Sequence, residues 1–163
     1  MKGSMRKYLY FFIICFVLSA PAFAQTAAEL EVLLNTNAVS YEQAARFVLE
    51  AADVPVSAGE AFRHAAEQNW LPQDAAPGDT AVLQGVSHLI MQSFGIKGGI
   101  LYSGTQSPHY AYRELVYLNV IQGRVDPRMA VSGEFLLFMI GRMLSQTEDD
   151  PWPEGTPMGG GIE

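Results

Sequence analysis

SPHYAYRELVYLNVIQGRVDPRMAVSGEFLLFMIGRML, running from Ser107 to Leu144, is the stretch whose reading decides the fold. Ser107-Pro108 places a serine cap before a proline at the first helical position. Apolar and aromatic residues then continue as a helix through Val120, and Gly123 supplies a stop. A short loop carries Asp126-Pro127. After Ser132, which stands as a second cap, Phe135, Leu136, Met139, Ile140, Met143 and Leu144 recur at helical spacing. The stretch therefore reads as helix, loop, helix.

Shifting the chain by 50 residues lays an earlier copy on it. Ser57 falls on Ser107, Ala61 on Ala111, Arg63 on Arg113, Asn69 on Asn119, Pro77 on Pro127 and Ile90 on Ile140. These six identities over 38 columns exceed the roughly two that average residue usage gives by chance. The order of elements says the same. Each unit has a serine cap, a helix, an asparagine with a break, a loop with proline, and a second apolar helix. Val39-Ser-Tyr-Glu resembles a third copy of the second helix start, Val131-Ser-Gly-Glu. Units of this length bury their apolar faces on their neighbours.

Working outward, the spacing predicts helices over Tyr41–Asp53, Ala58–Trp70, Thr80–Phe94, Pro108–Val120 and Ser132–Ser145, with a short one at Leu30–Leu34. Ser57-Ala-Gly-Glu60 has the form of a capping box. The stretch Gly95–Gly104 holds four glycines around Ile-Leu-Tyr and reads as a loop or short hairpin between units. Its Lys97-Gly-Gly lacks the continuation of a phosphate-binding loop.

The segment Tyr110–Leu144 resembles a repeat of the S-layer homology family. Asn119-Val-Ile-Gln-Gly123 stands for the family's glycine turn, Asp126-Pro127 for its loop, and Val131-Ser-Gly-Glu134 for its Val/Ile-Thr-Arg-Ala-Glu helix opening. The resemblance extends over about Val39–Leu144 and implies an all-α fold of tandem helix–loop–helix units. It also implies docking on the cell envelope. The family holds an anionic wall polysaccharide with the motif arginine. Here that position holds Tyr41, Leu83 and Gly133, so the resemblance does not carry that ligand over. Glu42 and Glu134 match the motif glutamate and are expected to cap their own helices.

The amino terminus reads as an export signal over residues 1–24. Lys2, Arg6 and Lys7 precede an apolar run, Tyr8–Leu18, and Ala22-Phe-Ala24 ends it, with cleavage expected before Gln25. The run falls short of the roughly 20 residues that a membrane span needs, so no stable span is expected after cleavage. Cys15 lies inside the run, and Ile14 before it is not the small residue a lipid anchor requires. Cleavage removes this sole cysteine, and with it disulfides and thiolate chemistry. It also leaves seven basic residues against 17 acids, a formal charge of −10. That argues against nucleic acid and against anionic lipid surfaces as partners. A single domain is expected over residues 25–147. The acidic, Pro- and Gly-rich tail 148–163 reads as disordered, with Trp152 a loose aromatic or a docking motif.

Motifs for chemistry are scarce. His64, His88 and His109 lack zinc spacing, and there is no Gly-x-Ser-x-Gly elbow. No cofactor is implied. His88 reads as a helix-flank residue. Glu60, Glu67, Asp79 and Glu114 are available as a carboxylate pair for a small wall hydrolase, the alternative to a binding role. The candidate binding surface gathers Tyr102, Tyr110 and Tyr112 with Arg113, flanked by Tyr117, and Arg63 repeats the place of Arg113. The expected function is a non-catalytic binding or structural module in the periplasm or cell envelope. It would meet cell-wall glycan or an envelope protein; inhibition of a wall enzyme belongs, with hydrolysis, to the alternative.

Overall fold

The computed structural model describes residues 21–123 and 125–149. Residues 1–20 of the segment 1–24 read as an export signal, and residues 150–163 of the segment 148–163 read as a tail, lie outside them. The described chain is all-α. Seven helices follow in order: α1 (Pro21–Leu34), α2 (Tyr41–Ala51), α3 (Ala61–Glu67), α4 (Leu83–Ser93), α5 (Ile100–Thr105), α6 (Pro108–Tyr117) and α7 (Gly133–Asp149). The residues divide into two compact units between Asn35 and Thr36. The first unit contains α1, which runs across the Ala24–Gln25 bond where cleavage is expected and extends the helix expected at Leu30–Leu34. In the second unit, the last helix continues two residues into the segment read as tail.

The second unit is organised by its helix starts. Val39 N–H donates to the Val131 carbonyl (2.8 Å), Val131 N–H to the Ala81 carbonyl (3.0 Å), and Ala81 N–H to the Val39 carbonyl (2.8 Å). The three bonds close a ring of residues just before α2, α4 and α7. All three residues are fully buried. Extended backbone here would otherwise leave its polar groups dry and unpaired, and the ring gives each a partner. Outer bonds brace it. Tyr41 N–H reaches Asp79 and Glu42 N–H reaches Pro77, while Leu83 N–H reaches Met129 and Gln84 N–H reaches Pro127. The two pairs of acceptors are 50 residues apart.

Helix ends follow one plan. Asp53, Asn69, Gly95 and Asn119 all have positive φ. Each is followed by an apolar residue whose N–H reaches back five positions: Val54 to Leu49, Trp70 to Ala65, Ile96 to Met91 and Val120 to Leu115. This Schellman arrangement satisfies the last carbonyls and folds the apolar residue back on the helix. Asparagine tolerates the left-handed conformation better than most side chains, which explains the repeated Asn69 and Asn119.

The starts are less uniform. Ser40 forms a full capping box, but with Gln43 rather than the expected Glu42. Ser132 Oγ accepts from Phe135 N–H (3.2 Å). Ser107 makes no side-chain cap, and Pro108 alone marks that start. Ser57 and Glu60 do not form the expected box. Their side chains bond each other (2.9 Å), so α3 begins only at Ala61.

α4 is the hub. It packs most extensively on α6 and also on α2. Eight of its eleven residues are buried, among them Leu83, Val86, Leu89, Ile90 and Met91. Gly85 lets Tyr41 approach closely: an added Cβ would meet its hydroxyl at 2.5 Å, and the buried ring would have to shift. α7 adds Leu136, Met139, Ile140 and Met143 to the core.

The glycine stretch is not a hairpin. Gly95 and Gly98 turn with positive φ, and the chain then winds into α5, which includes Gly104. The reason lies in its apolar residues. Ile100 and Leu101 point outward and only Tyr102 reaches the interior. One inward residue per turn suits a helix, whereas strand alternation would bury Ile100 with Tyr102.

Candidate functional site

The five expected surface residues separate. Tyr102 is 2% exposed and belongs to the interior, a correction to its place on the candidate surface. Tyr112 is half-buried, and its hydroxyl donates to the Val125 carbonyl (2.6 Å), tying α6 to the loop before α7. Arg63 is exposed but engaged within its own helix, with Glu60 (2.5 Å) and Glu67 (3.9 Å). Arg142, on α7, donates to the Asn119 carbonyl (2.8 Å).

Tyr110 and Arg113 remain together on α6. They are three residues apart and so share a face. Tyr117, four residues further, extends that face and is 62% exposed. Tyr110 is half-buried with its ring edge-on to His109 (centroids 5.6 Å). Arg113 is exposed. The arrangement offers two aromatic planes with a planar, five-donor cation between them, suited to flat or polar ligands such as sugar rings and peptide groups.

The carboxylates considered for hydrolysis have structural occupations. Glu60 accepts from Ser57 and from Arg63, which together hold its carboxyl below the usual range. Asp79 accepts from Ala76 N–H (2.8 Å). Glu114 lies against Gly99, where a Cβ would come within 2.9 Å of its Oε1.

Sequence reasoning missed a second cluster. His88 is 6% exposed inside the fold, not at a helix flank. Its Nε2 lies 3.3 Å from the Asn69 carbonyl and its Nδ1 lies 3.2 Å from the Tyr102 hydroxyl. Gln92 Nε2 donates to the same hydroxyl (2.9 Å). A carbonyl can only accept, so Nε2 carries the proton and Tyr102 donates to Nδ1. Burial holds His88 below the usual histidine range, against the Asn69 bond, which raises it. Burial also pushes Tyr102 up to about 12, with Gln92 opposing and Glu114 adding to the rise. The spacing of His88 and Gln92, four residues apart on α4, is the one signal that was legible.

Beside this cluster lies a partly open cavity of about 350 Å³, between the end of α4, the glycine turns and α5. Among the described residues no group of metal-ligating side chains occurs, and no helix is long and apolar enough to cross a membrane. Compared with family models, curated proteins and solved structures, the chain matches none.

Proposed function

We propose that the chain is a non-catalytic module of the cell envelope, exported to the periplasm or outer envelope. It is built from helix–loop–helix units like those of the S-layer homology family. The module docks on cell-wall glycan or an envelope protein through the α6 face.

The backbone ring supports the repeat reading. It joins Val39, Ala81 and Val131, the residues that the 50-residue shift and the third copy place in register. The bracing bonds to Pro77 and Pro127 sit one repeat apart. The family's ligand mode does not transfer. Tyr41, Leu83 and Gly133, which stand where its arginine would be, are all buried. A docking surface must therefore lie elsewhere.

The observation that carries docking is the α6 face, where exposed Arg113 stands between Tyr110 and Tyr117. Tyrosine supplies a large contact area at little entropic cost and arginine a planar fork of directed donors, and both are enriched at interface anchors. The acidic charge of the domain favours a neutral or cationic partner surface over a polyanion.

Co-sedimentation of the full chain, expressed with its own leader, with protein-free sacculi tests this reading. Binding is expected to fall by about tenfold or more in a Tyr110→Ala, Arg113→Ala double variant, the loss of an anchor worth at least 1.4 kcal/mol. Failure to sediment at any ionic strength would exclude direct wall docking and leave the envelope-protein partner. Sedimentation unaffected by the double substitution would remove the α6 face from the account.

A further inference from the structure

α5 is held to the molecule by Tyr102 and by its packing on α6. Tyr102 is its sole buried residue, while Ile100 is 76% and Leu101 55% exposed. Backbone in the left-handed region brackets it, at Gly98 (φ 62°) on one side and Gln106 (φ 47°) on the other. Ile96, just before the first bracket, is buried and bonded to the end of α4, so the fixed part of the chain stops there. The short segment is internally braced. Ser103 Oγ donates to the Lys97 carbonyl (2.7 Å) and Gln106 N–H to the Tyr102 carbonyl (2.7 Å). It is a small, self-consistent body on two pivots. The Tyr102 ring lies under Gly98, where an added Cβ would meet it at 2.7 Å. The cavity lies between this body and α4, with Met91, Gln92 and Ile96 on the fixed side and Tyr102, Ser103 and Gln106 on the other.

We propose that residues 97–106 form a hinged flap, latched by the Tyr102 hydroxyl on His88, which opens on acidification and uncovers the cavity.

The latch depends on the imidazole being neutral. Nε2–H is committed to Asn69, and Nδ1 offers the lone pair that Tyr102 needs. A proton on Nδ1 sets donor against donor. The Tyr102 oxygen already accepts from Gln92, so its own O–H is left without an acceptor in a buried place. The groups around the imidazole are few. The connection after α3 presents the Asn69 carbonyl, α4 presents Gln92 and α5 presents Tyr102. From α6, Glu114 acts on Tyr102 rather than on the histidine. Lys97 stands at the cavity rim on the flap itself. Burial already opposes the charged imidazole. The sign follows. Opening lets His88 take up a proton that the closed state resists, so the closed state is fully favoured above the ordinary histidine range near 6.5. It loses ground as pH falls below that value.

Hydrogen exchange of the full chain between pH 7.5 and 5.0, corrected for intrinsic exchange rates, tests the flap. Protection of residues 97–106 is expected to fall with pH by up to about tenfold per unit, the limit for one linked proton. A reporter segment in α2, residues 44–49, should keep its protection. His88→Gln should flatten the dependence while His64 and His109 remain in place. Tyr102→Phe keeps the ring but removes the hydroxyl, and should lower flap protection already at pH 7.5. It serves as the test if His88→Gln fails to fold. Flap protection that follows α2 at both pH values would overturn the proposal. So would a pH dependence that persists in His88→Gln, or a Tyr102→Phe flap as protected as the native one.

Discussion

Ala81→Pro is expected to destabilise the second unit by about 3 kcal/mol or more, measured as a shift in the urea midpoint at constant slope. The residue is fully buried, donates to Val39 and accepts from Val131. Proline removes the donor and leaves the buried Val39 carbonyl without a partner, which alone costs about 1–3 kcal/mol. Its ring also occupies the space through which the two segments approach. Domains of this size have only about 5–15 kcal/mol of stability, so the variant should be partly unfolded at modest denaturant. A loss below about 1 kcal/mol would mean that the three strand-like starts meet without organising anything.

Leu89→Ala is expected to cost about 2–5 kcal/mol, because the lost side chain leaves a cavity that the surrounding helices cannot collapse. Leu89 is fully buried on α4, the helix with the most extensive packing. The same substitution at Leu101, 55% exposed on α5, should change stability by no more than about 0.5 kcal/mol. Equal losses at the two positions, in parallel urea titrations, would contradict the assignment of α4 as hub and α5 as a lightly held flap.

The helices themselves were legible because apolar spacing reports burial on one face. Phe135, Leu136, Met139, Ile140 and Met143 marked α7, and Tyr41 through Val48 marked α2, within a few residues of their observed limits. The alignment of Ala81 with Val131, and of Val39 with Val131, pointed to positions that do meet, though nothing in the residues said they meet by backbone bonds. Backbone polar groups look the same at every position, so a ring of them leaves no trace in side-chain type.

The site was less legible. Tyr102 and Tyr110 have the same chemistry, and each suits a wet interface or a dry core edge. What separates them is the turn at Gly98, which aims Tyr102 at a histidine fourteen positions earlier. Ile100-Leu-Tyr102 was too short to distinguish a strand from a single helical turn. The Ser57–Glu60 pair had the spacing of a cap, but the two side chains satisfied each other before the backbone could use them.

Exchange rates of the Val39, Ala81 and Val131 amides in the full chain test most directly the claim that the three helix starts form one closed element. The account predicts that all three exchange together, among the slowest in the chain, through global unfolding. An amide of the three that exchanges orders of magnitude sooner than the other two, through a local opening, would contradict it.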